Sequence, residues 1–575
     1  MITPDVTGEA DRGPRPLALV WLGTVGIATF LILWTYGTQP VVGDEAYHFR
    51  RAFNYYESPL WAMRLTHDPA YLRDDPSAIQ YYDSCLWHLA LALVWKITGS
   101  ASVLAAQLYH AAYLVVLLVF TYLTGRALYG HRGGMWAWGL MATIPMNVLF
   151  AMVLYMEIPM LAFAAVAVYC LVRKRPICMG LSLGAMFLTK SPTATVLIPS
   201  LLAGAILVMG TTWRQRAIRT SIVAAAAMAL LLPDMIWRKE HFDSLIMLPH
   251  VNVSRLLLYP RVIAEEIAAL PRPLNISTPL NILDPAVFMQ LFGVTGWFTV
   301  VVALYVVVGG VVATLQQMRG RVLLAGWCTI NAPRDGSRQM SGVLGLMLVS
   351  YLCIYLVALH RCYDGRYLHP ITLPLCLLTG GALTRWQDCA GWARRRRLCR
   401  GAIAVLVLAM GGQLLAAPCV IRQRRTLPEK VMAAMDWVRA NTAPTAHILY
   451  LENNLTLLTG RPIVWFSAYP QYLFSVDEVR QMRLLRFLHV DYIAIHPTRQ
   501  QNDSSPLEVP IAYPKPWVQS LAERPYLERV YPPPGSSGNT GEREFLIYHI
   551  DYSKMPANWL RGVENVKWTQ DLPNY

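Results

Sequence analysis

Apolar segments of nearly membrane-spanning length recur along most of the chain, and this pattern limits the fold more than any other feature. A helix needs roughly 20 mostly apolar residues to cross the hydrocarbon of a bilayer, whereas a signal peptide explains one such segment at most. We therefore predict a polytopic α-helical membrane protein with about eleven transmembrane helices. They are expected near residues 17–36, 103–124, 134–153, 158–172, 177–189, 195–209, 221–237, 294–315, 342–359, 371–384 and 402–417.

The excess of positive charge follows these segments and argues against nucleic-acid binding. The formal net charge is +15, but the cations form short clusters between apolar runs, as the positive-inside rule expects of cytoplasmic loops. The clusters fall on every second connection, which places the N-terminal tail, residues 1–16, in the cytoplasm. They comprise Arg126 with Arg132, then Arg173, Lys174 and Arg175, then Arg214, Arg216 and Arg219, then Arg319, Arg321, Arg334 and Arg338, and finally Arg385 with Arg394 to Arg397.

Residues 419–575 differ in composition from the apolar part and are predicted to form a soluble α/β domain. Helical periodicity covers 431–441, and short apolar runs at 447–451, 462–466, 491–496 and 545–550 are typical of strands. With an odd number of spans and a cytoplasmic N-terminus, this domain is expected outside the cytoplasm.

The first outer loop, residues 37–101, carries an adjacent pair of carboxylates. Asp44 and Glu45 directly follow the first span, and carboxylates beside a span usually lie at its watery end because a charge at the bilayer centre is costly. A solvated pair in a loop is the alternative. The same loop contains an apolar run at 86–95 that is too short to cross, and we predict an interfacial helix there.

Further polar residues interrupt the ends of apolar segments on the same predicted face. Glu157 could instead complement a helix macrodipole, Lys190 could extend to the interface, Arg366 could pair locally, and His48 could be structural. Taken together, they place carboxylates and cations at one membrane surface. A carboxylate can deprotonate an acceptor hydroxyl, and lysine or arginine can neutralise a departing phosphate. This combination favours transfer chemistry at a lipid phosphate.

Four motifs, in this order along the chain, resemble those of the GT-C superfamily of membrane glycosyltransferases, family 39 in particular. That group includes the dolichyl-phosphate-mannose protein mannosyltransferases and the bacterial lipid A aminoarabinose transferases. The motifs are Gly43-Asp44-Glu45, Tyr155-Met156-Glu157-Ile158-Pro159, Gly184-Ala185-Met186-Phe187-Leu188-Thr189-Lys190 and Arg366-Tyr367-Leu368-His369-Pro370.

The resemblance implies a GT-C catalytic domain over residues 17–418 that transfers a hexosyl or pentosyl group with inversion. The donor would be a polyprenyl-phosphate sugar on the extracytoplasmic face, and the acceptor a lipid, glycan or protein. The catalytic residues would be Asp44, Glu45 and Glu157: Asp44 would be the base that activates the acceptor, and Glu45 and Glu157 would be supporting acids or metal contacts. Lys190 and Arg366 would hold the lipid phosphate, with His48 and Tyr367 also in the substrate site.

Cofactor and location are the remaining expectations. The ten cysteines lack paired metal-ligand spacing, so neither a zinc site nor a disulfide framework is expected. The resemblance leaves a divalent metal, Mg²⁺ or Mn²⁺, open. We expect an integral protein of a bacterial inner membrane, surrounded by membrane lipids and without nucleic-acid partners.

Two other classes of protein would also place charges on an outer membrane face. A transporter or flippase of a lipid-linked saccharide needs a charged cavity, although such proteins often show internal repeats and polar groups near the bilayer midplane. A polysaccharide polymerase or ligase would not depend on the Asp44-Glu45 pair.

Overall fold

The computed structural model describes residues 15–38, 45–57, 86–242, 299–302, 335–354, 365–388, 393–450, 454–465, 478–495, 518, 520–533 and 545–560. The first helices are α1 (Arg15–Thr35), α2 (Glu45–Glu57), α3 (Leu86–Thr98), α4 (Val103–Thr143), α5 (Pro145–Met152), α6 (Glu157–Val172), α7 (Pro176–Thr189), α8 (Ser191–Val208) and α9 (Trp213–Phe242). They are followed by α10 (Asp335–Ile354), a 3-10 helix (Gly365–Ile371), α11 (Thr372–Asp388) and α12 (Ala393–Arg425).

The described helices include several that suit a bilayer. Among them, α1, α4 and α9 are long and apolar enough to cross a membrane, and a fourth span is obtained if α5 and α6 are counted as one broken span. Large apolar side chains such as Leu22 on α1 and Leu408 on α12 are exposed, which is expected of helix faces that contact lipid. Of the predicted span at 294–315, only residues 299–302 lie within the described part of the chain.

Helix α4 reverses direction at Gly130, where φ is +81°. Glycine is favoured there because a Cβ would clash in this left-handed region. The two arms then pack together, since a Cβ added to Gly134 would lie 2.8 Å from the carbonyl oxygen of Tyr122. In a straight helix, the same residues would be about 18 Å apart. The predicted spans that begin at 103 and 134 are therefore the two arms of a helical hairpin.

The predicted span at 134–153 was wrong in its second half. Helix α4 ends at Thr143, and the short helix α5 begins with Pro145, at a position where the missing N–H of proline is tolerated. Helices α5 and α6 are bent by 117° across residues 153–156, which we call the break segment. Hydropathy did not reveal the bend because the break segment is itself apolar and buried.

The last membrane helix continues beyond the predicted end at 417. Helix α12 passes through Pro418 and ends at Arg425, although proline removes one backbone hydrogen bond from a helix interior. This extension of about two turns brings Arg425 into contact with residues near the start of the chain.

Close backbone approach joins α7 to α9. A Cβ on Gly180 would lie 2.3 Å from the carbonyl oxygen of Val223 and 2.7 Å from the Cβ of Ala226. Membrane helices associate largely through such packing of small residues, because lipid supplies no hydrophobic force between them.

Replacing Gly180 by alanine should therefore destabilise the protein by about 1–3 kcal/mol, because α7 and α9 must move apart. Gly26→Ala is a matched control on α1, since nothing lies within 4 Å of its added Cβ. We expect Gly26→Ala to be neutral or slightly stabilising, as alanine is the better helix former. Thermal unfolding of the two purified variants measures the difference, and equal melting temperatures would contradict the packing argument.

Beyond α12, the described residues form a five-stranded mixed sheet in the order β2-β1-β3-β5-β4. Its strands are β1 (His447–Tyr450), β2 (Ile463–Trp465), β3 (Val490–Ile495), β4 (Leu527–Tyr531) and β5 (Leu546–Ile550), with helices α13 (Glu429–Asn441), α14 (Asn454–Thr459) and α15 (Glu478–Phe487) beside them. Strand β1 pairs in parallel with β2 and β3, while β5 is antiparallel to β3 and β4.

Both faces of this sheet are covered, which explains why its strands are short continuous apolar runs. In β1, Leu449 packs with a cluster that includes Leu485 of α15, whereas Ile448 packs on the opposite face with Val431 of α13.

Four of the strands and helix α13 lie where periodicity predicted them. Strand β4 was missed because only its first residue is buried. Helix α14 contacts α2 and so connects the sheet to the first loop.

Candidate functional site

Glu45 begins α2 and is completely buried. Its Oε1 accepts a hydrogen bond of 2.9 Å from the backbone N–H of Leu154 and forms an ion pair with Arg425. The side chains of both ion-pair partners are fully shielded from solvent. A carboxylate is stable at such a position only when it is paired and hydrogen-bonded.

Arg425 connects three parts of the chain through its guanidinium group. Besides Glu45, it donates to the carbonyl oxygen of Met152 at 2.7 Å and to Oγ1 of Thr38 at 3.0 Å. Met152 is the last residue of α5, and carbonyl groups at a helix C-terminus lack partners within their own helix. Arg425 and Glu45 thus satisfy backbone groups at the α5 end of the break segment and hold that end in place.

Another buried ion pair lies at the other end of the break segment. Lys190 donates through Nζ to Oε1 of Glu157, and both residues are buried. Glu157 is the first residue of α6, where its charge complements the helix macrodipole. Lys190 lies between α7 and α8, so this pair joins the start of one helix to the junction of two others.

Histidines surround the same region. His48 and His88 share a hydrogen bond of 3.0 Å between Nδ1 and Nε2, and Nε2 of His110 lies 2.8 Å from the carbonyl oxygen of Phe150. The ring of Tyr155, in the break segment, lies 6.1 Å from that of His48 and is stacked on Phe150 at 5.9 Å. His110 interacts electrostatically with Glu157, Arg425 and His48. Glu45 bonds to Leu154, His48 contacts Tyr155 and Glu157 directly follows Met156, so both ion pairs adjoin the break segment. We call these residues and the nearby histidines the polar cluster.

The structure brings Glu45, His48, Glu157 and Lys190 together in this cluster. Asp44 lies outside the described residues. The backbone of Arg366 and Tyr367 belongs to the 3-10 helix, which packs against α5 and α6. Within the described part of the chain, no group of three or more histidine, cysteine or acidic side chains could hold a metal ion.

Sequence reasoning missed Arg425, His88 and His110 as members of the cluster. Arg425 ends a basic run, Arg422-Gln423-Arg424-Arg425, which is typical of residues that flank a membrane span. The two histidines lie in largely apolar stretches of α3 and α4. An intramembrane ionisable residue is a signal of function by default, and this signal was available for His110, which lies in a predicted span.

Comparisons with known proteins address the fold. Residues 85–237 match the family model described as dolichyl-phosphate-mannose-protein mannosyltransferase, whereas no curated protein sequence gives a significant match. ArnT from Cupriavidus metallidurans in the apo state superposes with a TM-score of 0.57 at 12% identity, covering 92% of this chain and 98% of that one. The structure of the same protein bound to undecaprenyl phosphate superposes with a TM-score of 0.55 at 11% identity, covering 92% of this chain and 97% of that one.

The archaeal oligosaccharyltransferase AglB from Archaeoglobus fulgidus, in complex with an inhibitory peptide and a dolichol-phosphate, is also similar. Its TM-score is 0.53 at 12% identity, with 83% of this chain and 69% of that chain covered. This chain has the GT-C fold. The GT-C fold confirms the resemblance drawn from the four motifs, and with the apolar helices it makes the chain an integral membrane protein.

Proposed function

We propose that this protein transfers a sugar from a polyprenyl-phosphate donor to an acceptor on the extracytoplasmic membrane face, with inversion. The observation that carries the proposal is the buried Lys190–Glu157 ion pair at the break segment, in the same polar cluster as Glu45 and His48. A lysine inside a membrane protein needs an anionic partner. A lipid phosphate is an anion that a membrane protein can take up from the bilayer.

In this proposal, Lys190 holds the donor phosphate and neutralises the charge that develops as the phosphate leaves. Glu157 balances the lysine when the donor is absent and keeps its ammonium group at the break segment. Arg366 contributes a second cation and Tyr367 a hydroxyl, both from the 3-10 helix that packs on α5 and α6. His48 orients the substrate from α2.

Asp44 is the base in this proposal, and Glu45 positions it. Glu45 is fully buried and bonds to Arg425 and to the N–H of Leu154. Its carboxylate therefore has a structural role and does not face the acceptor in this proposal. Because these contacts occupy Glu45, we assign the role of base to Asp44, its neighbour in the sequence.

The arrangement in the membrane is part of the proposal. Residues 1–16 lie in the cytoplasm, residues 17–418 form the catalytic membrane domain, and residues 419–575 form an α/β domain outside the cytoplasm. The alternating basic clusters support this orientation. A bacterial inner membrane provides polyprenyl-phosphate donors on its outer face.

Release of free polyprenyl phosphate tests the reaction directly. Membranes containing the native protein are supplied with a panel of polyprenyl-phosphate sugars, with and without lipid, glycan or protein acceptors. Acceptor-dependent release from one donor would establish the transferase and identify its sugar. Absence of release over the whole panel, together with movement of the lipid-linked sugar across vesicles, would instead support a flippase.

Lys190→Ala should raise the KM for the donor by about 10- to 100-fold, the usual effect of losing a hydrogen bond to a charged group. Lys190→Arg should recover part of the loss because the charge is retained. The matched control is Lys554→Ala, which removes a surface ion pair of 3.2 Å with Asp551 and should change neither kinetic constant. An unchanged donor KM in Lys190→Ala, measured by the release assay, would remove the lysine from the donor site.

A further inference from the structure

His369 occupies an unusual position in the 3-10 helix Gly365–Ile371. Its side chain is fully buried, and neither ring nitrogen has a hydrogen-bond partner among the residues that the structure describes. Its ring packs edge-on against Phe150 of α5, with ring centres 5.1 Å apart.

Burying an imidazole without hydrogen bonds to its ring nitrogens costs folding free energy. The neutral ring carries one N–H donor and one acceptor nitrogen, and a protein interior normally satisfies both. Each neighbouring histidine has at least one ring nitrogen in a hydrogen bond, since His48 bonds to His88 and His110 lies at hydrogen-bond distance from the carbonyl oxygen of Phe150. In His369, neither ring nitrogen is bonded to a described residue. A buried polar group left without a partner in a folded protein requires an explanation, such as a catalytic role or a bound ion or water.

The surroundings of His369 indicate which ligand would satisfy it. The 3-10 helix packs against α6, whose first residue is Glu157, and the ring of His369 contacts Phe150, which is stacked on Tyr155 of the break segment. His369 therefore lies at the break segment, and it interacts electrostatically with both Glu157 and Lys190, the ion pair assigned above to the donor phosphate. A phosphate oxygen accepts hydrogen bonds and carries negative charge, so one phosphate can bond to an ammonium and an imidazole N–H at once.

We infer that His369 donates a hydrogen bond to the phosphate of the polyprenyl-phosphate headgroup, beside Lys190. This inference rests on the proposed function and adds a residue to its donor site. The 3-10 helix then places Arg366, Tyr367 and His369 within four residues, so that one short segment holds the phosphate opposite α6.

Binding of undecaprenyl phosphate and of undecaprenol to the full-length detergent-purified protein tests the inference. His369→Phe keeps an aromatic ring against Phe150 but cannot donate, and it should weaken undecaprenyl phosphate binding by about 10- to 100-fold. Binding of undecaprenol, which lacks the phosphate, should not change. Inorganic phosphate at millimolar concentration should not displace the lipid, and displacement would assign the site to free phosphate and overturn the lipid-headgroup assignment.

Two amide variants identify the donating atom and keep the test valid if His369→Phe folds poorly. Asparagine places its amide near the position of Nδ1 and glutamine near that of Nε2, so one of the two should bind undecaprenyl phosphate better than the other. The control is Ser200→Ala, which removes a hydrogen bond of 2.7 Å to Ser350 between α8 and α10 and should leave lipid binding unchanged.

The outcomes separate this inference from the proposed function. Native protein that does not prefer undecaprenyl phosphate to undecaprenol would overturn both. A native preference that persists in His369→Phe would overturn only the role of His369. Equal weakening of both lipids in His369→Phe would show a packing role and overturn the hydrogen bond to phosphate.

Discussion

Replacing Asp44 by asparagine should lower the turnover number for sugar transfer by about two to four orders of magnitude, the usual contribution of a positioned base. Donor affinity should stay within about twofold, because asparagine has nearly the same size and Lys190, the proposed phosphate ligand, is unchanged. Acceptor-dependent release of polyprenyl phosphate gives the turnover number, and equilibrium binding of the lipid gives the affinity.

The control for Asp44→Asn is Asp436→Asn on α13. Asp436 is exposed and pairs with Arg439 on the surface at 3.2 Å, so the same chemical change should affect neither quantity. Near-native turnover by Asp44→Asn would exclude Asp44 as the base. Loss of turnover together with loss of donor binding would indicate that Asp44 shapes the donor site.

Replacing Arg425 by methionine should destabilise the protein by about 3–5 kcal/mol, because the Glu45 carboxylate would remain buried without its arginine. Methionine fills much of the volume of the arginine side chain but carries no charge. The lost bonds to Met152 and Thr38 add to the effect. Thermal and denaturant unfolding in a fixed detergent measure the change in stability.

A double-mutant cycle separates the ion pair from the packing of Arg425. Adding Glu45→Gln to Arg425→Met should restore much of the stability, because the glutamine oxygen can still accept from Leu154 and no buried charge remains. Arg422→Met is the matched control, since Arg422 is an exposed residue on the same helix and should change stability by less than about 0.5 kcal/mol. Additive effects of Glu45→Gln and Arg425→Met would contradict a coupled pair.

The sequence predicted most helices because their apolar runs are bounded by strong signals. Pro176 starts α7 and Glu157 starts α6, as expected from the helix preferences of proline and of acidic residues. The break segment could not be predicted in the same way. Hydropathy measures how apolar a segment is, and an apolar segment can be bent or straight. The bend depends on Glu45 and Arg425, which bond to the backbone groups that the helix break leaves without partners.

The residues of the two buried ion pairs differ in how well the sequence predicts them. Glu157 and Lys190 could be selected because each is a charge at the end of an apolar run, and the topology predicted from the basic clusters put both on one membrane face. Arg425 could not be predicted as the partner of Glu45 from the sequence. Arg425 is one of many arginines that flank spans, and its choice depends on how far α12 extends and on the bend between α5 and α6.

The ion pair between Glu45 and Arg425 also has a consequence for biosynthesis. The two residues are 380 positions apart, and at ordinary rates of translation the ribosome needs roughly 20 to 80 s to cover that distance. During this interval, α2 and the break segment exist in the nascent chain without the arginine that joins them. The first loop can therefore reach its final position only after α12 has been synthesised and inserted, so a prematurely terminated chain would contain the acidic motif but lack the residue that fixes it in place.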